Sequence, residues 1–105
     1  MHVQIVNFQL SGITEEQYRA TCDELAPAFA AVPGLLSKVW LADADANTYG
    51  GVYVWADRTA MEQFQDSELF QAVVSHPNLA GISSRDFGVL DAPTAVTSEL
   101  GALAA

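Results

Sequence analysis

The order in which strand-like and helix-like segments follow one another constrains the fold of this 105-residue chain more than any other feature. Short segments that are rich in β-branched residues, or that alternate in polarity and end at turn residues, are typical of strands. Four such segments occur, at residues 2–10, 35–42, 49–56 and about 83–90. One helical segment lies between the first and second strands and another between the third and fourth. The sequence therefore predicts an α+β fold with an antiparallel sheet and the ferredoxin-like order β-α-β-β-α-β.

Both helical segments begin with residues that are typical of helix caps. Thr14 is followed three residues later by Gln17, which is the spacing of a capping box. Asp57 is the predicted cap of the second helix. We expect this second helix to break at Asp66-Ser67 and to end at Pro77.

Turn residues and glycines define the remaining boundaries. Polar residues 43–48 join the second and third strands into a predicted hairpin. Gly50 and Gly51 interrupt the third strand and indicate either a bulge or a close approach of two backbones. Pro93 is predicted to end the last strand. We therefore expect one domain over residues 1–93, followed by an Ala-rich, weakly helical tail over residues 94–105.

The charge balance limits the kinds of partner. Thirteen acidic and four basic residues give a net charge of −9, which disfavours nucleic acid and anionic membrane surfaces. The apolar runs are too short to span a bilayer, no signal peptide is visible, and the single cysteine cannot form an internal disulfide. We therefore expect a cytoplasmic protein whose partner is a small molecule, a second protein chain, or both.

The predicted layers leave one face of the sheet without helices. Two helices that pack on the same side of four strands cover one face only, and the bare face would expose a large apolar surface. A soluble monomer rarely exposes an apolar surface of that size. We therefore predict a homodimer that associates through its sheets.

Strand periodicity brings large aromatic and charged side chains onto shared faces. Lys38 and Trp40 share one face of the second strand, and Tyr53 and Trp55 share one face of the third. Rings with polar tips suit a planar ligand. The opposite faces are typical of ordinary core and carry Val39, Leu41, Val52 and Val54.

These patterns predict six site residues, most of which also have a purely structural interpretation. The predicted catalytic residues are Trp40, Asn7 and Lys38, and the predicted substrate-binding residues are Tyr53, Trp55 and Phe64. The tryptophans could instead fill the core, and the lysine could be a solvated charge at a sheet edge. The Asn7 amide, which interrupts an apolar face, could bond to neighbouring backbone or donate to a ligand carbonyl.

No metal or cofactor signature is visible in the sequence. His76 lies beside Pro77 at a helix end and is interpreted as a cap of backbone carbonyls, and Cys22 is interpreted as core. The two histidines, His2 and His76, lie far apart with no further ligand at metal-binding spacing. No nucleotide or flavin fingerprint occurs. We therefore expect a protein that uses neither a metal nor an organic cofactor.

Two stretches carry a resemblance to a known family. Pro33-Gly34-Leu35-Leu36-Ser37-Lys38-Val39-Trp40, followed by Gly50-Gly51-Val52-Tyr53-Val54-Trp55-Ala56-Asp57, resembles the YdhR-like monooxygenases. These belong to the dimeric α/β-barrel superfamily of the antibiotic biosynthesis monooxygenases. The resemblance implies a homodimer whose two sheets form a barrel, with a pocket between each sheet and its own helices. It also implies an oxygenase that acts with O2 on a small aromatic or polycyclic phenol or enol.

Different functions are also compatible with this fold. The haem-degrading branch of the superfamily uses an Asn on the first strand and a Trp and a His on the second helix. Asn7 fits that pattern, but Phe64 and Val74 stand at the Trp and His positions and His76 comes two residues late, so haem degradation is not expected. Isomerase or cyclase chemistry on a similar ring remains open. A dimer that binds a small molecule without catalysis remains open as well.

Overall fold

The structure is a computed structural model that describes residues 1–99. It contains a four-stranded antiparallel sheet and four helices. The sheet order is β2-β3-β1-β4. The predicted β-α-β-β-α-β ferredoxin-like arrangement is confirmed, with the second helix in two pieces. The elements are β1 (His2–Leu10), α1 (Glu15–Ala30), β2 (Leu35–Asp43), β3 (Thr48–Trp55), α2 (Arg58–Gln65), α3 (Glu68–Val74), β4 (Leu79–Gly88) and α4 (Asp91–Thr97).

Local hydrogen bonds fix the starts of the helices as the sequence predicts. The Thr14 hydroxyl accepts from the Gln17 backbone N–H at 3.1 Å, and the Gln17 side chain accepts from the Thr14 N–H at 2.9 Å. Asp57 caps α2 by accepting from the Ala60 N–H at 2.8 Å. Ser67 caps α3, which explains why the helical segment breaks there. Such caps stabilise a helix by about 1 kcal/mol each.

Strand β4 begins earlier than predicted because it contains a bulge. Its register with β1 runs from Asn7 opposite Ser83 to Gln9 opposite Ala80, so two residues of β4 oppose one residue of β1. One of the two is Gly81, whose φ of 62° is readily adopted only by glycine. The bulge therefore lets β4 begin at Leu79, ahead of the predicted start at about residue 83.

The chain after β4 also differs from the prediction. Strand β4 ends at Gly88, and Pro93 lies in the first turn of α4, where a missing N–H costs no helical hydrogen bond. Helix α4 therefore crosses the predicted boundary between residues 93 and 94. Residues 100–105 of the predicted tail lie outside the described residues.

Helices α1, α2 and α3 cover the face of the sheet that carries Lys38, Trp40, Tyr53 and Trp55. The core under them consists of Val6, Phe8, Phe29, Tyr49, Tyr53, Trp55, Met61 and Phe64. The predicted core residue Val39 lies on the other face, where its side chain is 55% exposed. Phe87 lies on the same outer face and is 48% exposed. Strand periodicity determines which residues share a face, but it does not determine which face the helices cover. Helix α4 packs beside Val3 and Val54 on the outer face.

Gly50 explains why the centre of the sheet is so closely packed. Its φ is 140°, and a Cβ atom there would collide with the carbonyl oxygen of Val6 on β1. The close backbone approach that the two glycines indicated is therefore present.

Within residues 1–99 no helix is long and apolar enough to cross a membrane.

Candidate functional site

A cavity lies between the helix-covered face of the sheet and helices α1 and α3. Its volume is about 260 Å³, close to the lower end of the range for small-molecule sites. Most of its lining is aromatic or aliphatic, and a few polar groups interrupt it. The lining includes Phe8, Tyr18, Leu25, Phe29, Trp40, Tyr53, Leu69 and Val73, with the polar side chains of Gln17, Thr21, Cys22, Lys38, His76 and Asn78.

The Lys38 amine is enclosed by three aromatic rings of this cavity. Its Nζ atom lies 3.4 Å from the ring centroids of Phe29 and of Trp40, and 4.7 Å from that of Tyr53. Ring faces attract a cation, but they replace its hydration only in part. Among the described residues no carboxylate forms an ion pair with Lys38. Burial without a counter-ion lowers the pKa of Lys38 to about 7.

Neighbouring strands position this lysine. Lys38 is paired with Tyr53 in the β2–β3 ladder, and Trp40 is paired with Gly51. A Cβ atom on Gly51 would lie 2.9 Å from the Cε atom of Lys38 and 3.3 Å from the Tyr53 ring. Because glycine has no side chain, the lysine stem lies flat over the strand and its amine reaches the rings.

The phenol and thiol groups beside Lys38 stay protonated at neutral pH. Burial raises the pKa of Tyr18 and of Tyr53 above the usual range for a phenol. Burial likewise raises the pKa of the Cys22 thiol, which lies beside Tyr18 on α1. The cavity therefore combines neutral hydrogen-bond donors with one amine that exchanges its proton near neutrality.

Two residues that the sequence assigned elsewhere line this cavity. Cys22, interpreted as core, is half-buried and reaches the cavity from α1. His76, interpreted as a carbonyl cap, instead accepts at Nδ1 from the Asn78 N–H at 3.1 Å and presents its ring to the cavity. Within residues 1–99 no three His, Cys, Asp or Glu side chains are grouped so that they could hold a metal ion.

Sequence reasoning also missed Tyr18 and Phe29 as lining residues. They recur at helical spacing along α1, a pattern that is equally typical of ordinary core packing. Tyr18 makes edge-to-face contacts with Phe8 and Tyr49 at 5.8 and 5.3 Å, and Phe29 makes one with Trp40 at 5.2 Å. The same face of α1 therefore contributes both to the core and to the cavity wall.

The structure brings Lys38, Trp40 and Tyr53 together but places Trp55 and Phe64 in the core. Trp55 is fully buried, and its Nε1 donates to Oε1 of Gln4 at 3.1 Å. The Phe64 ring packs 5.1 Å from the ring of Trp55 and is 2% exposed. Neither side chain lines the cavity. Core packing, which the sequence left open for Trp55, is the arrangement observed.

Asn7 lies on the other face of the sheet from the cavity. It is paired with Gly50 on β3 and shares the outer face with Val3 and Ile5. Its side-chain amide donates to the backbone carbonyl of Tyr49 at 3.3 Å. The amide therefore bonds to neighbouring backbone and does not point at a ligand in the cavity.

Solved structures with the same fold come from several bacteria. A mutant of SnoaB, a cofactor-independent oxygenase from Streptomyces nogalater, is 22% identical, with 85% of this chain and 93% of SnoaB covered and a TM-score of 0.66. The haem-degrader MhuD from Mycobacterium tuberculosis was solved with two haems in its active site. It is 20% identical, with 86% of this chain and 96% of MhuD covered and a TM-score of 0.69. At these identities the likeness establishes a shared fold.

A third structure, from Deinococcus radiodurans, is described as a putative antibiotic biosynthesis monooxygenase. It is 16% identical, with 85% of this chain and 92% of that chain covered and a TM-score of 0.70. None of the curated proteins matches this sequence. The family described as "Putative mono-oxygenase ydhR" matches residues 3–99, which is nearly the whole chain. The chain therefore belongs to the ydhR family.

Proposed function

We propose that this protein is a cofactor-independent monooxygenase acting on a small aromatic or polycyclic phenol or enol. The observation that carries the proposal is the Lys38 amine, which lies among three rings without a carboxylate partner and has a pKa of about 7. As a neutral amine it takes the acidic proton of the substrate. As an ammonium it then pairs with the resulting anion.

The anion is the species that reacts with O2. A phenolate or enolate is electron-rich enough to donate electrons to oxygen without a flavin or a metal. With a hydroxyanthrone, one oxygen atom becomes the new carbonyl of the ring methylene and the other leaves as water with the two methylene hydrogens. The substrate supplies all the electrons, so the protein has to bind it, remove its proton and stabilise the charge.

The surrounding residues divide into those that contact substrate and those that shape the fold. In this proposal Trp40 and Tyr53 hold the planar ring beside Lys38, and Tyr18 and Cys22 offer neutral donors to its oxygens. The buried side chains of Trp55 and Phe64, and Asn7 on the outer face, act through the fold and do not touch the substrate.

Haem is not the proposed substrate. Phe64 is buried in the core, and Val74 is 37% exposed on α3, so neither position offers a group that would hold haem in this cavity. A volume of about 260 Å³ also favours a molecule of two or three fused rings over a macrocycle.

The first prediction concerns the pH dependence of oxygenation. The purified protein should consume O2 with a hydroxyanthrone in the absence of flavin and nicotinamide, and kcat/KM should rise with pH through about 7 as Lys38 loses its proton. In Lys38→Met the substrate must ionise without a neighbouring base. The pH at which kcat/KM rises should therefore move up towards the pKa of a free phenol, about 10. An oxygen electrode and a product spectrum at each pH provide the measurement.

Arg58→Gln is the matched control, because it removes one positive charge that is 70% exposed on α2 and does not line the cavity. Its pH profile should equal that of the wild type. An absolute requirement for flavin or nicotinamide, or an identical pH profile in Lys38→Met, would contradict the proposal. Turnover of the ring compound without O2 uptake would point to isomerase or cyclase chemistry, and binding without turnover would point to a non-catalytic binding protein.

A further inference from the structure

Lys38 is the only lysine of the chain, since the other basic residues are Arg19, Arg58 and Arg85. We propose that its amine forms a Schiff base with small aromatic aldehydes and ketones, so that the cavity is also a covalent site for carbonyl compounds. This reaction needs no oxygen and is independent of the monooxygenase function proposed above.

The surroundings of Nζ leave its lone pair available. Its nearest neighbours are the rings of Phe29, Trp40 and Tyr53, at 3.4, 3.4 and 4.7 Å from their centroids. Within residues 1–99 no ion pair engages this nitrogen. The amine therefore faces an apolar cavity of about 260 Å³ that would accept an aromatic ring bearing a carbonyl group.

The titratable groups that face the cavity do not hold the amine in its charged form. They are Tyr18 and Cys22 on α1, Tyr53 on β3 and His76 after α3, and none is a carboxylate. Burial lowers the pKa of Lys38 to about 7. Roughly half of the amine is then neutral at pH 7, compared with roughly one in 2,500 for an exposed lysine.

The reaction balances without an oxidant or reductant. The Lys38 nitrogen attacks the carbonyl carbon, and a proton passes from nitrogen to the carbonyl oxygen to give a carbinolamine. A second proton transfer, from a donor of the cavity such as the Tyr18 hydroxyl, releases that oxygen as water. The C=N bond forms, and the last N–H proton restores the donor. One amine and one carbonyl therefore give one imine and one water.

Trapping with benzaldehyde and cyanoborohydride tests the proposal, because reduction turns the imine into a stable benzyl amine. The matched control is Arg58→Lys, which adds an exposed amine on α2 to the same molecule. Intact mass and peptide mapping then compare three amines: Lys38, the introduced side chain and the Met1 amino group. At pH 7 we expect Lys38 to be labelled at least ~10-fold faster than the introduced amine.

Two further measurements separate a cavity reaction from general amine chemistry. Added 2-naphthol should slow labelling of Lys38 and leave the introduced amine unaffected, because only Lys38 shares the cavity with the naphthol. In Lys38→Met, labelling should remain at Met1 alone. Labelling of Lys38 at or below the rate of the introduced amine, or labelling that naphthol does not slow, would overturn the proposal. These outcomes do not depend on oxygenation, so the two proposals fail separately.

Discussion

At the scale of single residues, burial of the Lys38 amine lowers the stability of the fold. In the unfolded chain its amine keeps an ordinary pKa near 10.4, whereas burial in the folded chain lowers the pKa to about 7. Between these values the unfolded chain binds more protons than the folded one, so the free energy of unfolding rises with pH. Below pH 7 both states are protonated and the full cost of burying the charge is present.

The second prediction follows from this linkage. Lys38→Met should be more stable than the wild type at pH 7, because it removes a buried charge but keeps much of the length of the side chain. The difference should shrink by roughly 1–2 kcal/mol between pH 7 and pH 9, since part of the ammonium stays hydrated and reduces the effect. Urea denaturation at pH 7, 8 and 9 measures it. A constant difference between the two proteins would show that Lys38 has an ordinary pKa in the folded state.

At the scale of elements, the paired strands β2 and β3 determine where the amine lies. Gly51 is opposite Trp40 in this ladder, and the space above it is filled by the Lys38 stem. A methyl group at position 51 would push the end of a flexible side chain aside without meeting rigid backbone at less than 3.4 Å. The strand pair should therefore fold with alanine at this position while the amine moves away from its rings.

The third prediction is that Gly51→Ala raises the pKa of Lys38. Because the chain has a single lysine, lysine labelled with ¹³C at Cε gives one NMR signal, whose titration reports this pKa directly. The midpoint should move from about 7 towards 10.4 as the amine regains hydration. Gly88→Ala is the matched control, since nothing lies within 4 Å of a Cβ at that position. If both variants titrate as the wild type does, Gly51 does not position the lysine.

Predictions at the element scale succeeded where the signal was local. The Thr14 and Asp57 caps depend on residues within three positions, and both were predicted from the sequence. The start of β4 depends on how Gly81 faces β1, which is a pairing between residues far apart in the chain, and it was predicted wrongly. Caps depend on neighbours in the sequence, whereas the register of a strand depends on its partner strand.

For the candidate site, too, local sequence patterns predicted some features, and features that depend on tertiary packing were missed. Periodicity correctly predicted that Lys38 and Trp40 share a face and that Tyr53 shares one with Trp55. It did not indicate that the cavity ends before Trp55, because the depth of a cavity depends on how α1 and α3 pack over the sheet. Asn7 shows the same limit, since the face it occupies is known only once the helices are placed on the opposite one.

At the scale of the whole molecule, the outer face of the sheet is partly uncovered. Helix α4 covers the area beside Val3 and Val54, but Val39 on β2 is 55% exposed and Phe87 on β4 is 48% exposed. Apolar side chains on a sheet face are energetically costly in water. We therefore propose that two copies associate through this face.

The fourth prediction tests that association. At micromolar concentration the protein should sediment with twice the mass of one chain. Val39→Asp should weaken the dimer by roughly 10-fold or more, because an unpaired carboxylate would be buried between the sheets. Val74→Asp, at an exposed position on α3 in the helical layer, is the matched control and should leave the dimer intact. A wild-type monomer at this concentration would contradict the proposal.

The charge distribution has a consequence for how a ligand travels to its site. The chain carries a net charge of −9, and its one lysine amine is enclosed among aromatic rings. Two exposed arginines, Arg19 and Arg58, are each paired with a glutamate four residues away. An anion approaching from solution therefore meets a repulsive field, whereas a neutral molecule meets no such barrier. Under the proposed function, in which Lys38 removes a proton inside the cavity, the protein would select molecules that are uncharged in solution and acidic enough to ionise once bound.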